Sequence, residues 1–330
     1  MFLHPSLILF SFFLLFSVIM MICMNSWFLI WFFIEMNLLC FIPLILFKKN
    51  KYSVEGSLKY FFIQTVSSIF ILIGLVLLFM DFEIYNYLFM SGLSIKLGFV
   101  PFHQWMVNII ESLTWPLVGV LFSLQKVGPF ILFNYMYMMK NEIIHVMYML
   151  SFLCALVGSL GGLFTSSMRK IMVFSSISHS AWLIMGMMVS IYMWIIYFVL
   201  YSLVLFSVLY ILSSMNLSNL NHMFLKLNFF VSFSLGVGLL SMGGLPPLSG
   251  FVPKFILMKE LILFYNYFVL LFLLMSVFIS LFFYSRMFIL NFIFLSNKNI
   301  FLKMSNNKLG IVLFINLMGM ILIPYMIYFF

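Results

Sequence analysis

Apolar runs of about 20 residues, the length of one bilayer crossing, follow one another along this chain with short polar breaks between them. Their pattern predicts eleven membrane-spanning helices, near 5–23, 27–47, 59–80, 91–110, 115–139, 144–164, 171–190, 193–213, 229–261, 266–290 and 309–329. The ninth run is too long for one straight helix and contains GGLPPLSG, with Pro246 and Pro247 at its centre. The fourth contains Pro101, which donates no backbone hydrogen bond and interrupts a helix. Two spans are therefore expected to be discontinuous. The expected fold is all-α, a polytopic membrane helix bundle forming a single integral membrane domain over 1–330, with no soluble domain or long linker.

Composition sharpens this picture. Hydrophobic residues make up 66% of the chain and charged residues 7%, against about 25% charged in a soluble domain. The runs are too long for barrel strands. The net charge of +9 does not point to nucleic acid, because the basic residues fall mostly in short loops. The start, MFLHPSLILF, lacks the cationic region of a targeting peptide and is expected to remain as a span. The 45 Phe and 29 Met, beside only two Ala and two Arg, suggest an AT-rich, organellar gene. Cys23, Cys40 and Cys154 lie far apart in apolar runs, without metal-ligand spacing, and read as small buried hydrophobes.

Loop charge tests the count. With the N-terminus on one side, that side receives Lys48, Lys49, Lys51, Lys59, Arg169, Lys170, Lys226, Arg286, Lys298, Lys303 and Lys308. The other receives Lys140 and Lys259, with Asp81, Glu83, Glu142 and Glu260. Eleven cations against two put the N-terminus on the matrix or cytoplasmic side and the C-terminus opposite.

Four charged groups remain at membrane depth: Glu35, Lys96, Lys126 and Lys254. Inserting them costs on the order of 10 kcal/mol in sum. One reading is structural: Glu35 neutralises one lysine, and carbonyls and water satisfy the rest. The other is a proton path. Burial disfavours the charged form of an amine and a nearby carboxylate favours it, so a lysine held between these effects can take up and release protons. Three lysines to one carboxylate favours the path. Both broken spans carry a lysine, and the tetrapeptide GFVP recurs at 98–101 and 250–253, which suggests an internal repeat.

His103 and His179 sit within spans and can relay protons or simply bond across helices; His4, His145 and His222 fall near span ends. Ser175, Ser176, Ser178 and Ser180 either line a wetted path or allow close helix packing. GSLGGL at 158–163 reads as helix packing, since it lacks the strand–helix context of a dinucleotide fingerprint. No pattern for binding a nucleotide, metal or flavin occurs.

KLGFVPFHQW, SLQKVGP, RKIMVFSSISHSAW and GGLPPLSGFVPK, in that order, resemble the antiporter-like membrane subunits of respiratory complex I, as do SWFLIWFFIEMNLLCFIPL and LKYFFIQ. The resemblance covers nearly the whole chain. It implies a proton-translocating subunit in the mitochondrial inner membrane, with Glu35 as the acidic partner at the half-channel mouth. Lys96 would be the first protonatable lysine, Lys126 the central one and Lys254 the exit lysine, with His103 and His179 on the polar axis. It further implies no cofactor in this chain: NAD, FMN, iron–sulfur clusters and ubiquinone would belong to partner subunits. Partners would be other membrane-arm subunits, including neighbouring antiporter-like ones, and membrane lipids such as cardiolipin. After His-x-Trp many relatives continue with Pro-Glu, whereas here Val107 and Asn108 follow Met106. The alternative function is a cation/proton antiporter subunit, which would need acidic groups at depth. A purely structural scaffold would tolerate Leu or Met at the three lysines.

Overall fold

The computed structural model describes residues 4–48, 50–80, 85–139, 143–215, 217–219, 229–264, 266–293 and 306–329. Lys49, Asp81, Glu83, Lys140, Glu142, His222, Lys226, Lys298 and Lys303 lie outside them, as does the side chain of Lys308. The chain falls into two compact units, 1–146 and 147–330.

In the first unit, α1 (Pro5–Cys23) and α2 (Trp27–Leu46) pack as a pair, and α3 (Lys51–Phe79) lies along α2 and along α4 (Tyr85–Leu97). A short α5 (Gln104–Ile109) and a 3₁₀ turn (Ile110–Ser112) follow. Then α6 (Trp115–Phe122) leads into α7 (Leu124–Met139), which packs on α1, α2 and α4. The helix of the third span starts eight residues earlier than the hydropathy pattern predicts, at Lys51 rather than 59. Asn50 and Ser53 exchange hydrogen bonds at its start, and exposed Glu55 and Lys59 pair one turn apart. Both devices support helix outside the apolar run.

In the second unit, α8 (Ile143–Phe164, its first turn counted with the first unit) precedes α9 (Met168–Val189), which is buried along almost its whole length. Helix α9 packs against α10 (Ile191–Met215), α12 (Phe251–Leu263) and α13 (Tyr267–Ile293). Helix α11 (Phe229–Gly243) packs against α10, α13 and α14 (Asn306–Leu317), and α15 (Gly319–Phe329) against α12. Glycines let these helices meet: a Cβ at Gly158 would stand 2.5 Å from the Ser178 nitrogen, and one at Gly162 2.7 Å from the Phe283 ring. The hydroxyls of Ser175, Ser176, Ser178 and Ser180 each bond a carbonyl three residues back in α9. That geometry suits close packing. The Arg286 guanidinium reaches the Leu163 and Thr165 carbonyls at the C-terminus of α8, where a cation is favoured.

The eleven predicted spans are all helical, and among the described residues eight helical stretches, with α6 and α7 counted as one, are long and apolar enough to cross a membrane unaided. Large apolar side chains are exposed along α1, α3 and α13, among them Phe12, Phe62 and Phe278, as suits a lipid-facing surface. Breaks are more numerous than expected. Besides the two anticipated, Ser123 separates α6 from α7 and Met318 separates α14 from α15. At Ser123 the hydroxyl bonds back to the Gly119 carbonyl, a contact that bends helices. The cysteine expectation also needs correction: Cys40 and Cys154 are buried, but Cys23 is exposed at the end of α1.

Candidate functional site

Both wide breaks are built the same way. The first half-helix, α4, ends at Leu97, and Gly98 follows with φ +68°. Its N–H donates to the Ile95 carbonyl and the Phe99 N–H to the Ser94 carbonyl. In the second break Gly244 has φ +83°, its N–H reaches the Ser241 carbonyl, and the Leu245 N–H reaches Leu240. This is the Schellman cap, which needs a left-handed residue and so favours glycine. Pro follows three residues later in each case, at Pro101 and Pro247, and Val100–Pro101 and Pro246–Pro247 are both cis. The two breaks therefore correspond through Gly98-x-x-Pro101 and Gly244-x-x-Pro247. This corrects the pairing through the two GFVP tetrapeptides, of which the second already lies at the start of α12.

In the first unit, α2, α3, α4 and α7 bring the polar residues together. Glu35 Oε1 accepts a hydrogen bond from Lys96 Nζ at 2.7 Å, with the lysine side chain 1% exposed and the glutamate side chain 21% exposed. Lys96 sits in the last turn of α4, and its backbone carbonyl is reached by Gln64 Nε2 at 3.4 Å. Trp105 Nε1 donates to the Ile95 carbonyl at 3.0 Å, tying α5 back across the break. These donors satisfy carbonyls that a helix ending in the membrane leaves over.

Lys126 is also buried. Its N–H bonds the Ser123 carbonyl, three residues back, and Pro129 offers no N–H to Gln125. Its ammonium stands 5.9 Å from the centre of the Phe122 ring. The preceding residue makes a bridge: Gln125 Oε1 accepts from Tyr60 OH at 3.2 Å, and Gln125 Nε2 donates to Asn37 Oδ1 at 2.9 Å. Lys96 and Lys126 line one cavity with Tyr60, Gln64, Gln125 and Trp105; it has room for about one or two waters. Glu35 and His103 are not in that lining. His103 is half-buried at the start of α5.

In the second unit, Lys254 lies one turn into α12, and its Nζ donates to the Gly243 carbonyl at the end of α11, 2.8 Å away. A Cβ at Gly244 would lie 2.9 Å from Lys254 Cδ and Nζ, so this glycine also makes room for the lysine. His179 Nδ1 and Tyr197 OH are 2.9 Å apart, and the Tyr201 ring is 4.8 Å from the imidazole. These three residues line a small cavity with Ser241, Gly250 and Pro253. Among the described residues no cluster of three or more His, Cys, Asp or Glu side chains is arranged to hold a metal.

The structure thus pairs Glu35 with Lys96 and puts Lys96 and Lys126 on one cavity, and it puts His179 beside the break that precedes Lys254. It leaves His103 outside the lysine cavity. Tyr60, Gln64, Gln125 and Asn37 were missed by sequence reasoning, although Gln125 next to Lys126 inside an apolar run was a visible signal.

Residues 24–83 and 79–280 match the family described as NADH:quinone oxidoreductase/Mrp antiporter, TM. A chain named NADH-ubiquinone oxidoreductase chain 2 from Anopheles gambiae is 35% identical, over 96% of each chain. The like-named chain from Equus caballus is 36% identical over 73% of each. In three dimensions, a chain of respiratory complex I from Thermus thermophilus superposes with a TM-score of 0.81 at 18% identity, covering 96% of this chain and 78% of that one. A chain of the archaeal membrane-bound sulfane sulfur reductase gives 0.82 at 16%, covering 95% and 72%.

Proposed function

The chain belongs to the NADH:quinone oxidoreductase/Mrp antiporter membrane family, among relatives named NADH-ubiquinone oxidoreductase chain 2, and from that premise we propose that it translocates protons through Glu35, Lys96, Lys126 and Lys254. It acts as a subunit of proton-translocating NADH:ubiquinone oxidoreductase. The single observation that carries the residue assignment is the shared cavity of Lys96 and Lys126, with Glu35 paired to the former.

Glu35 gives the Lys96 ammonium a counter-ion 2.7 Å away at the start of the path. A proton leaving Lys96 passes by cavity water to Lys126, the central lysine. The Tyr60–Gln125–Asn37 bridge holds the turn that aims it. Lys254 is the exit lysine, its ammonium donating to the last carbonyl of α11. His179, with Tyr197 on its Nδ1, relays protons on this axis; His103 belongs to the same polar axis.

In this reading the two units are halves of one translocating domain. It lies in the mitochondrial inner membrane, with the N-terminus on the matrix side and the C-terminus on the intermembrane-space side, supported by the loop cations. NAD, FMN, iron–sulfur clusters and ubiquinone act in partner subunits. Neighbouring antiporter-like subunits and lipids such as cardiolipin cover the apolar flanks. The cation/proton antiporter alternative needs a free carboxylate at depth, and Glu35 is already engaged by Lys96.

Lys126→Met should leave the complex assembled, because Met fills the same volume without a charge. The number of protons pumped per electron, measured in inner-membrane vesicles, should fall. A normal ratio would overturn the proposal.

A further inference from the structure

The last described spans carry a buried polar residue that the lysine path does not use. Asn316, on α14, is 0% exposed and ends the apolar stretch Leu309–Leu317. Its Oδ1 lies 2.6 Å from Ser241 Oγ, whose single proton is shared between this oxygen and the Gly238 carbonyl at 2.7 Å, and its Nδ2 donates to Ser207 Oγ at 3.1 Å and to the Val312 carbonyl at 2.8 Å. Ser207 can accept because its own hydroxyl proton goes to the Val204 carbonyl at 2.7 Å. The Asn316 backbone carbonyl in turn accepts from the Ser249 N–H at 3.0 Å. All the polar groups of this side chain are therefore used.

The identity of the partners gives the contact its meaning. Ser241 belongs to α11, before the second break, and Ser249 lies two residues ahead of α12, after it. One side chain and its own carbonyl hold both edges of the interruption, with α10 as the third anchor through Ser207. Gly319, three residues on, brings α15 against the same loop: a Cβ there would lie 2.3 Å from the Leu248 carbonyl carbon. Lys254 depends on the register of those edges, since its ammonium starts from α12 and bonds the last carbonyl of α11.

We infer that Asn316 is a positioning residue that clamps the two halves of the second broken span and thereby seats the Lys254 ammonium on the Gly243 carbonyl. The inference rests on the proton-path reading of Lys254. A bonded asparagine is suited to this role because it combines donor and acceptor on one rigid amide, and losing it in an apolar interior leaves its partners unsatisfied.

The test compares Asn316→Leu with Lys254→Met and with the double variant in the assembled complex, reading protons pumped per electron rather than abundance. Asn316→Leu should lose at least about half of what Lys254→Met loses, and the double variant should be no worse than Lys254→Met alone, the non-additivity of two residues acting as a unit. A normal ratio in Asn316→Leu beside a lowered one in Lys254→Met would overturn the clamp and leave the proton path standing. A normal ratio in Lys254→Met would remove the path and the clamp together. If Asn316→Leu does not assemble, Ser241→Ala replaces it, deleting only the hydroxyl that reaches Oδ1: a lowered ratio supports the clamp and an unchanged one overturns it.

Discussion

Gly250→Ala should abolish accumulation of the folded chain in its complex. Gly250 has an ordinary helical φ of −70°, so backbone strain is not the reason. Space is: an added Cβ would stand 1.7 Å from the Ser241 carbonyl oxygen and 2.7 Å from its carbon. Overpacking against side chains costs about 1–3 kcal/mol, because rotamers yield. Here the obstacle is backbone of α11, fixed by its own helix, so the two half-helices must separate. Separation removes the bond from Lys254 to the Gly243 carbonyl and those from Asn316 to both edges. A cost above about 3 kcal/mol is expected, and every ~1.4 kcal/mol is a factor of ten in a folding equilibrium. The control is Gly310→Ala, where nothing lies within 4 Å and helix propensity gains about 1 kcal/mol. Native electrophoresis of solubilised membranes should show loss of the complex in the first and normal amounts in the second. Equal amounts in both would contradict the steric argument.

Glu35→Ala is the second large effect expected. It leaves the ammonium of Lys96 in a site where its side chain is 1% exposed, and stripping one partner from a buried pair costs about 3–5 kcal/mol. The partial exposure of Glu35 places the loss near the lower end. Deleting both charges, as Glu35→Ala with Lys96→Met, removes the uncompensated cation and should restore most of the stability. If Lys96 carries protons as proposed, it should not restore proton pumping. Thermal stability of the purified complex separates the two outcomes. A double variant as labile as Glu35→Ala would mean that the loss comes from packing rather than from an unpaired charge.

The reading of the chain as a membrane bundle needed only run lengths, and all eleven runs are helical. The break at Ser123 was not legible, because a serine within an apolar run carries no signal unless its back-bond to Gly119 is seen. The repeat was half legible. The GFVP tetrapeptides drew attention to the right spans but to the wrong pairing, since what the two breaks share is a left-handed glycine capping the first half-helix with Pro three residues on. A shared backbone device needs few shared residues, so identical letters were a poor guide to it.

Local rules decided what each stretch is. Hydropathy over some 20 residues sets a crossing, proline and glycine set where it breaks, and a lone lysine or glutamate in hydrocarbon demands a reason. Those features act within a turn or a span and are read directly from letters in order. Which lysine meets Glu35, that Lys96 and Lys126 face one cavity, and that Asn316 grips both edges of the second break are contacts between residues 30 to 109 positions apart. Only the packing of helices brings such residues together, because a helix offers a different face every 100° or so and nothing in its own sequence says which neighbour each face will meet.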